Sequence, residues 1–194
     1  MTDPLAAAGR HLRDHFAESE PDTASVTFLG VERMEVLRFL SDGVYSYVSL
    51  GCSRHPMIEA SAAVADPVRG PRAEVVMNLR AGQATTGLAR SLAVIAATPA
   101  VDGIVLTDDL LVDLSTPLWQ GAPFTAVLLG RSGIPDLELG APRDPVRFLS
   151  AVPITQTEAA WVRLKGADAL RQAWSDDGVD VLDPLRPASS ARGN

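Results

Sequence analysis

Apolar and polar positions alternate most clearly on either side of Ser41-Asp42-Gly43, within residues 34–57 (MEVLRFLSDGVYSYVSLGCSRHPM). Asp-Gly between two β-branched and aromatic runs is a strong hairpin signal, because both residues tolerate the positive φ of a tight primed turn. The returning strand, 44–50, sets Tyr45 and Tyr47 on one face and Val44, Val48 and Leu50 on the other. It runs into Gly51-Cys52-Ser53-Arg54-His55-Pro56-Met57, a short polar loop stopped by proline. A loop delivered to the surface by rigid strands is a natural place for function.

Helical and strand periods locate the other elements. Asp3 and Pro4 read as an N-cap and first helical position, and Leu5, Ala8, Leu12 and Phe16 recur at helical spacing. A helix is therefore expected over 4–19, broken at 18–22, and a short strand follows at 25–29. Residues 58–71 read as a connection with at most one helical turn. Over 72–79, Ala73, Val75, Met77 and Leu79 are expected inward, with Glu74 and Asn78 outward. Thr85 or Thr86 is expected to cap a helix carrying Leu88, Leu92, Ile95 and Ala96 on one face, ended by Pro99. Residues 124–129 are apolar on both faces, the pattern of a central buried strand, and 146–152 form a further strand. The strands 44–50 and 124–129 are expected to be central, with 25–29 or 146–152 nearer an edge. Thr155 and Glu158 make a capping box, Gly166 separates two helical segments, and Leu170, Ala173 and Trp174 share a face of the second. The fold class is α+β: one domain over 1–183, a mixed, mostly antiparallel sheet with flanking helices, and a disordered tail at 184–194.

Composition narrows the function classes. The 194 residues are 46% hydrophobic and 21% charged, which is globular. Carboxylates outnumber basic groups 24 to 17, which argues against nucleic-acid binding. One cysteine, Cys52, rules out an internal disulfide and Cys-rich zinc sites. No apolar run reaches membrane-span length and no signal pattern opens the chain, so a soluble, cytoplasmic protein is expected. Gly51 and Gly82 have no phosphate-loop context, so no cofactor is expected.

Few residues carry candidate chemistry. Cys52 and His55 could act as nucleophile and base, although such pairs normally converge from distant sequence. His11 and His15, four apart on the first helix, lack the further ligands a metal site needs. Residues 107–123 (TDDLLVDLSTPLWQGAP) combine acids with exposed-looking apolar residues between prolines. Leu110, Leu111 and Val112 interrupt any calcium-loop pattern there. The candidate partner-binding set is Arg54 and His55 from the first loop, with Asp108, Asp109, Asp113, Leu118 and Trp119 from the second. Trp119 reads equally as an interface anchor or as a plug on the sheet edge. No catalytic or metal-ligating residue is assigned.

Several segments, in this order, resemble the suppressor of fused domain family. They are Tyr47-Val48-Ser49-Leu50-Gly51-Cys52-Ser53 with Pro56-Met57, then Ala73-Glu74-Val75-Val76-Met77. Next come Pro123-Phe124-Thr125-Ala126-Val127-Leu128-Leu129, and Phe148-Leu149-Ser150-Ala151-Val152-Pro153-Ile154 running into Glu158 and Gly166. The resemblance spans about 25–175 and implies an α+β protein-binding domain without catalytic residues. Stand-alone bacterial members suggest an immunity protein that neutralises a toxin. The expected partner is thus a protein, a toxin or a regulatory protein, with a second copy of the chain another candidate. A small cysteine-dependent hydrolase or transferase using Cys52 and His55 is the alternative.

Overall fold

The computed structural model describes residues 3–28 and 30–189. Asp3 caps α1 (Pro4–Phe16) by accepting from the Leu5 amide, and Ala17, at φ 51°, ends the helix three residues earlier than expected. Strands β1 (Asp22–Phe28), β2 (Val31–Ser41) and β3 (Val44–Leu50) form an antiparallel meander. Asp42 and Gly43 have φ of 50° and 75°, the primed turn expected of Asp-Gly. Leu29, placed in the first strand by the sequence pattern, lies outside the described residues.

After a turn at Cys52–Arg54 come β4 (Arg72–Arg80), α2 (Leu88–Asp102), β5 (Leu111–Asp113), β6 (Phe124–Arg131) and β7 (Val146–Thr155). Helices α3 (Gln156–Lys165) and α4 (Ala167–Asp176) complete the chain, with the Thr155–Glu158 capping box formed. The seven strands lie in the order β1-β2-β3-β4-β7-β6-β5. Strands β4 and β7 pair in parallel and the other neighbours pair antiparallel, so the sheet is mixed and mostly antiparallel.

Helices cover both faces. On one, α2 packs over Val36, Tyr47, Val75, Met77, Val127, Leu129 and Leu149. On the other, α1 covers Leu37, Phe39, Val48, Val76 and Phe148, while α3 and α4 cover Ala126, Leu128 and Ile154. Double coverage explains why 124–129 is apolar on both faces.

Five expectations are corrected. Strand β7 sits between β4 and β6, inside the sheet, and β6 lies one place from the edge, whereas β1 takes the edge as expected. Gly87, at φ 94°, is the N-cap of α2, and Thr85 turns its hydroxyl to Tyr47 Oη at 2.8 Å. Pro99 lies inside α2, which runs to Asp102 and ends at Gly103, whose amide donates to the Pro99 carbonyl. Glu74 is fully buried, because the 51–54 turn folds over its side of β4. The expected frayed tail is anchored up to Ser189: Arg186 and Ser189 are buried and both bond to Glu158.

Candidate partner-binding site

The 51–57 loop is held from below by two buried charged side chains. Glu74 Oε1 accepts from the Gly51 amide (2.9 Å), the Ser53 amide (2.9 Å) and Ser53 Oγ (2.6 Å), and its Oε2 accepts from Ser49 Oγ. Burial pushes the Glu74 carboxyl above the ordinary glutamate range, opposed by these four donors. Arg72 donates to the carbonyls of Ser53 (2.8 Å), Arg54 (2.9 Å) and Val68 (3.2 Å). Amides and carbonyls of one tight turn thus meet opposite charges from β4. Gly51 is required by space, since a Cβ there would meet Met34 Cγ at 2.8 Å.

The loop's outer side chains gather on one acid. Arg54 Nε and His55 Nε2 reach Glu32 Oε2 at 2.9 and 3.1 Å. His55 thus turns its Nε2 to a carboxylate on β2. Desolvation, with the Glu74 charge second, pushes the Cys52 thiol well above its ordinary value. Iodoacetamide should consequently label Cys52 in the native protein far more slowly than in denaturant, with no thiolate reactivity near neutral pH. Rapid native labelling with an acidic pH midpoint would overturn this account.

The acids of 107–123 are already paired within the chain. Asp108 meets Arg147 at 3.1 Å and Arg131 at 3.6 Å, and Asp109 meets Arg171 at 2.5 Å. Asp113 meets Arg163 at 2.6 Å, and that guanidinium holds its carboxyl below the ordinary range. Leu118 and Trp119 are buried at 0% and 4% exposure, with Trp119 tilted against Phe124 at a ring distance of 5.5 Å. The exposure that an interface anchor requires is absent at both residues. His11 and His15 diverge: one ring meets the Pro135 carbonyl and stacks on Phe148, the other sets its edge on Phe16.

An apolar furrow follows the C-terminal half of α2. One part, about 420 Å³, is lined by Glu32, Cys52, His55, Met57, Ala97 and Ala100, among others. The next, about 320 Å³, is bounded by Phe28, Val94, Val101, Ile104 and residues 110–114. Val31 and Ala97 line both parts, so the two adjoin. The two sequence-chosen loops thus meet along one surface: His55 stands at one end and Asp113 at the other. Asp108 and Asp109 open instead onto the opposite sheet face beside Arg171 and Trp174.

A family model for the suppressor of fused protein (SUFU) matches residues 30–187. The chain belongs to the suppressor of fused family. A suppressor of fused homologue from Neisseria gonorrhoeae has a similar fold, with a TM-score of 0.72 and 18% identity over 98% of this chain and 99% of that one. A chain of the Sufu-Fu complex gives a TM-score of 0.67 and 14% identity over 96% and 92%. Drosophila Suppressor of Fused gives 0.69 and 16% over 96% of this chain, which spans 51% of the fly protein. No curated protein matches the chain.

In this suppressor of fused domain, no helix among the described residues is long and apolar enough to cross a membrane. The furrow residues Val94, Val101 and Ile104 were missed by sequence reasoning, which followed only the buried stripe of α2. A signal was present: Val94 and Val101 are seven apart, a second apolar line on the same helix. Arg72 and Glu74 carried no comparable signal, since alternation alone assigns such side chains to solvent.

Proposed function

We propose that this suppressor of fused domain is a non-enzymatic binding protein whose furrow along α2 takes a protein partner, and that the partner is a toxin it neutralises in the cytoplasm. The observation that carries this reading is that the 51–57 loop and residues 110–114 line two adjoining apolar hollows along α2. Val101 and Ile104 stand 62% and 41% exposed there, more apolar side chain than an isolated surface needs. Glu32 is held by Arg54 and His55, and Asp113 by Arg163. Asp102 and the net charge of −7 therefore set the sign of the local field. The occupant suited to it presents apolar side chains flanked by basic residues. A structural relative captured in the Sufu-Fu complex supports partner binding as the job of this fold.

Co-expression with the product of a neighbouring toxin gene tests the proposal. Wild-type chain should restore growth, and calorimetry should show Val101→Asp and Ile104→Asp each weakening the complex by about 2 kcal/mol or more. Both variants should melt like the wild type, because both positions are exposed. Rescue unaffected by either change would remove the furrow from the interface. Failure of the wild type to protect would remove the immunity role.

A further inference from the structure

The two edges of the sheet are built differently. Strand β5 is three residues long and carries Asp113, which pairs with Arg163. Shortness and charge are the usual protections of an edge. Strand β1 is seven residues long and pairs on one side only, with β2. Between Thr23 and Phe28 it has no charged residue and no proline. Its one charge, Asp22, is taken by Arg38 of β2. The register shift near the end, between Val26 and Phe28, leaves Asp22 to Val26 in unbroken register with β2. Backbone donors and acceptors along that stretch are presented outward, and Arg33 of β2, which reaches Ser25 Oγ at 2.6 Å, is paired with Glu35 at 3.1 Å.

We infer that β1 is an interface for a second copy of this chain, joined by antiparallel pairing of the two β1 strands about a two-fold axis at Ala24. The sequence is self-complementary in that register. Ala24 meets Ala24 at the axis, Thr23 meets Ser25, and Asp22 meets Val26 of the other copy. Hydroxyl pairs and β-branched neighbours are favourable across strands, and no like charges fall opposite one another. The two Asp22 side chains lie at opposite ends of the paired stretch, each beside its own Arg38. Thr23, Ser25 and Thr27 are exposed, so pairing requires no rearrangement of the core. A two-fold interface uses the same patch on both partners, which a self-complementary strand supplies. The α2 furrow lies outside this contact except at Phe28, so this inference stands apart from toxin binding.

Sedimentation equilibrium on the full chain, from low to high micromolar concentration, should show the mass doubling. Ala24→Lys, which sets two ammonium groups face to face at the axis, should remain monomeric with unchanged circular dichroism. Hydrogen exchange on wild-type protein gives a readout that needs no variant. Amides within 22–26 should gain about tenfold or more protection at the high concentration, while other edge amides do not change. A wild type that stays monomeric overturns the inference. So does a dimer that survives Ala24→Lys, or one whose 22–26 amides exchange independently of concentration.

Discussion

Arg186→Ala should destabilise the domain by about 3–5 kcal/mol, the cost of stranding a buried charge. Arg186 is 3% exposed and forks onto Glu158, with Nη1 to Oε1 at 2.8 Å and Nη2 to Oε2 at 3.1 Å. Its guanidinium also donates to the Pro153 carbonyl at 2.8 Å and lies over the rings of Phe124 and Trp174. Glu158, at 0% exposure, collects Trp174 Nε1 and the amides of Thr155 and Ser189 as well. Removing the arginine leaves that carboxylate desolvated with neutral donors alone. Lysine should not rescue it, because a single ammonium cannot reproduce the planar fork. A double change to apolar residues, Arg186→Met with Glu158→Leu, should recover much of the loss. Denaturant midpoints for the four proteins measure all of this. A near-neutral Arg186→Ala, within about 0.5 kcal/mol as for surface changes, would mean that the tail is loose after all.

The same pair has a pH signature. Burial raises the Glu158 carboxyl, but the Arg186 bond and the other donors together outweigh it, and its pKa ends below the ordinary value. A depressed folded-state pKa contributes stability above the unfolded pKa of about 4.3, lost as pH falls through the folded value. The stability gap between wild type and Arg186→Ala should therefore narrow below that range. Glu74 acts in the opposite sense: its raised pKa favours folding at low pH, and that contribution is lost as pH rises through the folded value.

Trp119→Ala should lower stability by about 3–5 kcal/mol, as expected for an emptied aromatic site. The indole packs on Phe124, and the chain around it is pinned by backbone bonds from Leu118 to Phe124, Ala122 to Trp119 and Gln120 to Thr86. Trp119→Phe should lose less, since it keeps part of the ring contact. Thermal melting decides between this and an anchor role, for which melting would be unchanged while partner affinity fell. Any weakening of partner binding in Trp119→Ala should follow from disorder at residues 110–114, which border the furrow.

Local chemistry made several elements legible. Asp42-Gly43 dictated a primed turn, Thr155 and Glu158 dictated a capping box, and the doubly apolar run at 124–129 reported burial on both faces. These signals work because their causes lie within a few residues of one another. Order in the sheet has no such local cause. Strand β7 reaches its inside position through a parallel pairing with β4 across the α2-β5-β6 crossover, and nothing in 146–152 marks that. Trp119 was ambiguous for the same reason: prolines frame a loop without saying whether its aromatic turns in or out.

The sequence by itself determined the class of the domain, its periodic elements and its family likeness, since hydrophobic period and turn chemistry are written residue by residue. Tertiary structure alone decided where charge could be buried. Glu74 reads as a surface carboxylate and Glu158 as a capping residue until donors distant in sequence close around them: Ser49, Gly51 and Ser53 for one, Trp174, Arg186 and Ser189 for the other. It also decided which acids remain available to a partner, because Asp108, Asp109 and Asp113 are claimed by arginines 39 to 62 residues away. A charge is favourable or costly according to what surrounds it in space, and only the folded chain sets those surroundings.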